Sequence, residues 1–241
     1  MTVEQSQASR LGPLFDSCRA DDRAALIGYL PTGYPDVPTS VDAMIALVES
    51  GCDLIEVGVP YSDPGMDGPT IARATEAALR GGVRVRDTLA AVEAISRAGG
   101  HGLITPDLIP DEAQQWMAAS EAHRLDRIFL VAPSSTPQRL VATIEASRGF
   151  VYAASTMGVT GARDAVSQAA PELVRRVKAV SEIPVGVGLG VRSREQAAQI
   201  AGYADGVIVG SALVSALSDS LAALRGLTEQ LAGGVRQGAS G

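Results

Sequence analysis

The sequence is poor in the residues that most often carry metal, redox or membrane chemistry. It has two histidines, two cysteines and one tryptophan in 241 residues, and 4% of it is aromatic. His101 and His123 have no partner at metal-ligand spacing, so no metal is expected. Cys18 and Cys52 make no CxxC pair and lie in apolar settings, which reads as reduced, structural thiols. No apolar run approaches the roughly 18 residues of a membrane span. The opening MTVEQSQASR is polar and lacks the apolar core of a secretory signal. A cytoplasmic location is expected. Positive charge is scarce too, 20 Lys and Arg against 27 Asp and Glu, and a formal charge of −7 argues against nucleic-acid binding. No G-x-G-x-x-G follows the first strand candidate, which weighs against a Rossmann dinucleotide site.

What is present is a regular alternation. Short apolar, β-branched runs occur at Leu26–Leu30, Asp53–Val59, Gly102–Thr105, Arg127–Val131, Phe150–Ala154, Pro184–Val187 and Gly206–Val209. Amphipathic stretches separate them, at Ser40–Glu49, Thr70–Leu79, Asp87–Arg97, Asp111–Ala122, Pro137–Ala146, Pro171–Val180 and Ser193–Ala201. Strand–helix alternation at this rhythm predicts a parallel sheet with helices outside. A TIM-type (β/α) barrel occupying the whole chain as one domain, with residues 1–10 and 233–241 as frayed ends, is the expected α/β architecture. A doubly wound open sheet is the alternative.

Seven strands are read here, where a standard barrel has eight in about 250 residues. The shortfall has a place. Between Val59 and Gly102 two helical patterns follow one another with only Val83-Arg84-Val85 between them, too short and polar for a buried strand. The interval from Val59 to Gly102 is therefore where the count falls short.

The stretch from Asp53 to Gly68, DLIEVGVPYSDPGMDG, carries the most chemical information. An acid inside a buried parallel strand is costly without a partner or a task. Side chains alternate along a strand, so Leu54, Glu56 and Gly58 are expected to point into the barrel, and Ile55, Val57 and Val59 toward the helices. Burial would raise the Glu56 pKa toward the working pH, where one carboxyl can both give and take a proton. A structural acid hydrogen-bonded inside the barrel is the plainer alternative. Asp67 lies in a loop whose composition is first of all turn chemistry, and Asp63, before Pro64, reads as loop-shaping. Two further segments resemble a phosphate cradle. Gly186 to Gly190 reads GVGLG after the seventh strand candidate, and Gly210-Ser211 follows the last and opens the helical stretch Ala212–Leu217. Exposed backbone N–H groups at a helix start bind phosphate without a basic side chain, and barrels often place such a site after their last two strands. Gly161, after Thr160, can add another N–H.

These residues together resemble the tryptophan synthase alpha chain family, over nearly the whole chain from about Leu11 to Leu217. The specific signature is Leu54 to Thr70, LIEVGVPYSDPGMDGPT, supported by Gly102 to Leu108, Tyr152 to Gly161, Gly188-Leu-Gly190 and Gly210-Ser211. The resemblance implies retro-aldol cleavage of indole-3-glycerol phosphate to indole and glyceraldehyde 3-phosphate. It implies Glu56 and Asp67 as catalytic acids and Tyr152 as a wall of the indole pocket. Thr160, Gly161, Gly188, Gly190, Gly210 and Ser211 would be the substrate-binding positions, most of them at the phosphate. It implies no cofactor in this chain, and a pyridoxal-phosphate beta subunit as partner in an α2β2 assembly. Family members carry a third strand–helix unit with a Tyr-x-Asn-Pro segment and a Gly-Gly at each end, and since a single Ala98-Gly99-Gly100 remains here, the resemblance implies that one βα unit is missing between Gly100 and His101. Two other readings stay open: a non-catalytic or impaired barrel that keeps phosphate or beta-subunit binding, and another phosphate-sugar enzyme such as an isomerase.

Overall fold

A computed structural model of the chain describes residues 9–62, 67–95, 102–104, 108–154, 169–188 and 190–237. Its strands are β1 (Ala25–Pro31), β2 (Leu54–Gly58), β3 (Gly102–Ile104), β4 (Asp126–Ile128), β5 (Leu130–Val131), β6 (Val151–Ala154), β7 (Val185–Gly188) and β8 (Gly206–Val209). The helices are α1 (Gly12–Ala20), α2 (Val37–Glu49), α3 (Pro69–Arg80), α4 (Val85–Ile95), α5 (Gln114–His123), α6 (Pro137–Ala146), α7 (Ala169–Lys178), α8 (Arg194–Ala201), α9 (Ser211–Asp219) and α10 (Leu221–Val235).

All ladders are parallel. One sheet runs β2-β1-β8-β7-β6-β5, and a second pairs β3 with β4. β4 and β5 are one extended run interrupted at Phe129. The Tyr152 N–H donates to the Phe129 carbonyl at 3.0 Å, so pairing with β6 begins within the interruption. The seven strand regions read from the sequence are thus all present, with β1 and β8, first and last in the chain, side by side as a barrel requires. The two ends of the series are β2 and β3. Among the described residues no ladder joins them, at the place where the strand count falls short.

Two apolar cores lie on either side of the sheet. The outer one takes Leu26, Leu30, Val151, Ala153, Val185, Val187, Val207 and Val209 from the strands and packs them against the helices. The inner one contains Ala25, Ile27, Ile128, Phe150 and Ile208, with Leu54, Ile104 and Tyr152 packed on it. The period-2 alternation is therefore kept strand by strand. Helix α1 closes this interior. Its Phe15 ring stands 5.5 Å from Phe150, and Leu11 and Cys18 are buried in the same cluster. The Asp126 carboxylate holds the segment, accepting the Leu11 N–H and the Ser9 hydroxyl, each at 2.7 Å.

Helix starts are set by side-chain caps. Asp36 accepts from the Thr39 N–H at 2.8 Å, so α2 begins at Val37, three residues before the amphipathic pattern does. Thr136, Ser193 and Ser220 cap α6, α8 and α10 in the same way. The pattern read over Asp111–Ala122 divides into a 3-10 turn at Pro110–Glu112 and α5. Helix α10 runs on to Val235, three residues into the stretch expected to fray, and buries Gly234 and Val235.

Two glycines of α10 should respond oppositely to alanine. A Cβ at Gly234 would lie 2.3 Å from the backbone carbonyl oxygen of Arg194 and 3.0 Å from Ala197 Cβ, where α8 crosses. A Cβ at Gly226 would meet nothing within 4 Å. Alanine raises helix propensity by about 1 kcal/mol at either site. At Gly226 that gain should stand. At Gly234 overpacking costs about 1–3 kcal/mol and outweighs it. Thermal melts of G226A and G234A should therefore move up and down respectively, and a rise for G234A would show that the crossing can yield.

Candidate active site

Glu56 and Gly58 lie on the inner face of β2, with Leu54 packed on the interior cluster and Ile55 and Val57 on the outer one. Glu56 is half-buried. Burial pushes its carboxyl up from the ordinary carboxylate range to about 7, and the charge of Asp67 adds to the rise. Asp67, also half-buried, immediately precedes Gly68, the residue before α3. The strand and the loop after it thus bring the two acids within electrostatic reach of each other. Asp63 lies outside the described residues.

Two tyrosines stand at the same level. Tyr152 on β6 is half-buried against the inner cluster, and its hydroxyl reaches β7. A Cβ at Gly188 would meet the Tyr152 Oη at 2.3 Å. Tyr29 on β1 is opposite Glu56 in register and lies against Gly58 in the same way, with 2.5 Å from a Gly58 Cβ to its Oη. Glycine at 58 and 188 is what leaves room for the rings. Burial pushes both phenols up, followed by the charges of Glu56 and Asp67 at Tyr152, and of Asp67 and Glu56 at Tyr29. A hydrogen bond with Thr75 of α3 acts on Tyr29 in the opposite sense. Sequence reasoning did not single out Tyr29. The signal was available: it is two residues beyond Ile27 on the inward parity of β1, near that strand's carboxyl end.

The phosphate-type segments also come together. β7 and β8 pair with Gly188 opposite Ile208, so the loops leaving them at Gly190 and Gly210 open side by side. Gly190 has φ of +65°, a left-handed conformation that glycine adopts without strain. Gly210 precedes α9, whose first turn has no side-chain cap, unlike α2, α6, α8 and α10. Its leading N–H groups, beginning at Ser211, are not taken up by a capping side chain. Tyr29 sits beside Gly210 as well, 3.4 Å from a Cβ there to the ring, and so lies between the acid pair and this corner. Thr160 and Gly161 lie outside the described residues. Cys18 and Cys52 are free and buried. No cluster of potential metal ligands and no helix long and apolar enough to cross a membrane occurs among the described residues.

The chain is also similar to known proteins over nearly its full length. The family model for the tryptophan synthase alpha chain matches residues 15–100 and 92–237. The alpha chain of Mycobacterium avium (strain 104) is 77% identical over 269 aligned positions, spanning 100% of this chain and 99% of that one. The alpha chain of Mycobacterium leprae (strain TN) is also 77% identical, with 98% of each covered. A structure of Mycobacterium tuberculosis tryptophan synthase superposes with a TM-score of 0.91 at 77% identity, over 95% of this chain and 99% of that one. A more distant chain from Aquifex aeolicus VF5 gives 0.86 at 31% identity, with 95% and 99% covered. The first alignment is 269 positions long against a chain of 241, an excess of 28, and the family model matches in two pieces that meet at residues 92–100. The relatives carry a segment there that this chain does not.

Proposed function

Because the chain belongs to the tryptophan synthase alpha chain family, we infer that it is the lyase subunit of that synthase, cleaving indole-3-glycerol phosphate to indole and glyceraldehyde 3-phosphate. Glu56 carries the reading: an inward carboxyl that holds its proton up to about pH 7, with Asp67 nearby. Protonated Glu56 delivers its proton to the indole ring carbon that bears the glycerol chain. Asp67 takes up the positive charge developing at the indole N–H. The bond from ring carbon to side chain then breaks, and its electron pair returns to the ring. The carboxylate left on Glu56 takes the proton of the adjacent hydroxyl, whose carbon becomes the aldehyde. Glu56 ends protonated, as it began, and nothing is oxidised or reduced.

Tyr152 and Tyr29 wall the indole beside the acid pair. The phosphate rests on the backbone N–H groups of the Gly188–Gly190 segment and of Gly210 and Ser211, with Thr160 and Gly161 completing the cradle. Positioned acid–base catalysis gives about 10²–10⁴-fold, so holding ring and phosphate in register must supply much of the remainder. The chain needs no cofactor of its own. Its partner in this reading is a pyridoxal-phosphate beta subunit in an α2β2 assembly, which joins the indole to serine, and its location is cytoplasmic.

A specific observation favours a second reading. Glu56 lies on β2, an edge of the described sheet, so a barrel impaired in catalysis but still binding phosphate or the beta subunit also fits. One experiment separates them. A sample that melts cooperatively is incubated with indole-3-glycerol phosphate, and indole and glyceraldehyde 3-phosphate are measured together. Equal release of both supports the lyase; binding of substrate without release supports the impaired barrel.

A further inference from the structure

We propose that Thr75 is a positioning residue for the proton donor, holding the Tyr29 phenol away from Glu56. Thr75 is the polar residue in the buried stripe of α3, beside Ile71, Ala74 and Ala78. A hydroxyl buried in such a stripe costs stability unless it is hydrogen-bonded, and valine would fill much the same space without one. Its partner is the Tyr29 phenol. Packing brings the two together. Ile71 Cδ1, one turn before Thr75 on the same face of α3, lies 3.3 Å from a Cβ at Gly210, and the Tyr29 ring lies 3.4 Å from the same point. Helix α3 thus packs across the carboxyl end of β1.

Tyr29 is the phenol best placed to reach Glu56. It is opposite Glu56 in register, and its Oη lies against Gly58, the next inward position on the same strand. Two residues of strand span roughly 7 Å, a gap that a glutamate side chain and a swinging phenol can close between them. Tyr152 also faces Glu56, but its Oη lies against Gly188 on β7. Among the described residues, Asp67 before α3 acts on Glu56, and Tyr61 beyond β2 acts on Tyr29. β3, β7 and β8 contribute no titratable side chain, and Arg73 and Glu76 of α3 are exposed. Asp126 is at the opposite, amino end of the strands, held by Ser9 and Leu11. A phenol has one proton to donate. Given to Glu56, it would favour the carboxylate, and the acid would lose near neutral pH the proton that the reaction needs. Given to the Thr75 oxygen, it leaves burial and Asp67 as the influences on Glu56. The inference rests on Glu56 as the proton donor of the reaction proposed above, and adds what keeps that proton in place.

Titration of the Glu56 carboxyl tests it without substrate. The whole protein, carrying isotope-labelled glutamate carboxyls, is followed by NMR, the Glu56 signal being the one missing from E56Q. The wild type should titrate at about 7. T75V frees the phenol, and Glu56 should then titrate about 1–2 pH units lower, the size of one hydrogen bond to a carboxylate. T75S keeps the hydroxyl and should stay at the wild-type value. T75V/Y29F should return to it as well, because phenylalanine has no proton to give. A T75V that melts lower with its titration unmoved would mean that Thr75 only packs, and would overturn the proposal. So would a low value in T75V that Y29F does not restore, which would trace the shift to a displaced Asp67. Y29F alone decides the matter even where T75V does not fold: an unchanged titration supports the proposal, and a rise would show the phenol already donating to the acid and overturn it. Unimpaired indole release by E56Q would instead sink the lyase reading, and leave these titrations standing.

Discussion

Glu56→Gln should lower indole release by about 10²–10⁴-fold, the range expected when a positioned acid–base group is lost. Glutamine keeps the shape and neutrality of the protonated acid but has no proton to deliver to the ring carbon. It also cannot take the hydroxyl proton as the bond breaks. Substrate binding should change little, so the loss should fall on kcat and not on KM. The pH profile gives a second readout. The productive free enzyme carries protonated Glu56, whose pKa is raised to about 7 by burial first and by Asp67 second. In the wild type kcat/KM should therefore decline above about pH 7, and the residual activity of E56Q should lack that limb. Asp67→Asn should move the limb to lower pH, because burial alone then holds the proton. A wild-type limb that stays in place in D67N would show that Asp67 does not act on Glu56.

The chemistry and the shortfall in strands share one strand. β2 positions Glu56 through its pairing with β1, where Tyr29 lies opposite. Its other edge faces the place where the sequence is short of a unit. Catalytic geometry is sensitive to displacements of about 1 Å, so whatever covers that edge also steadies the acid.

Much of this was legible in the chain because buried parallel strands leave a strong signal. Gly206–Val209 and Pro137–Ala146 have the bounds that composition alone suggested, and Glu56 faces inward as period-2 alternation requires. The short interval was legible too, since two helical patterns follow β2 with no strand pattern between them, and the family match divides at residues 92–100. Three features were not. Helix α1 has only Leu11, Phe15 and Cys18 to mark its buried face among polar residues, and its partners Phe150 and Asp126 are far away in sequence. Helix α10 contains Gly226, Gly233 and Gly234, which read as helix breakers. At Gly234 the absence of a side chain is what lets α8 approach. Tyr29 was passed over because a tyrosine in an apolar strand looks like packing until Gly58, Gly210 and Glu56 are placed around it.

The same substitution that removes activity should make the protein more stable above neutral pH. Glu56 titrates at about 7 in the fold and near its ordinary value of 4.5 when unfolded. Between those values the folded state binds the extra proton, so stability falls as pH rises. The contribution is fully present below about pH 4.5 and is gone above about 7. A difference of roughly 2.5 pH units corresponds to about 3 kcal/mol. Glutamine is neutral throughout and escapes that loss. At pH 8, E56Q should melt on the order of 6–12 °C above the wild type, at about 2–4 °C per kcal/mol for a chain of this size. At pH 4.5 the two melts should nearly coincide. Other carboxylates, such as Glu121 held low by Arg127 and Arg148, titrate alike in both proteins and cancel in the comparison. Equal melts at pH 8 would mean that the Glu56 carboxylate is fully solvated or compensated in the fold, and would remove the basis for its role as a proton donor near neutral pH. A gain at pH 8 alongside lost indole release would place the cost of burying this acid where the chemistry uses it, on the inner face of β2.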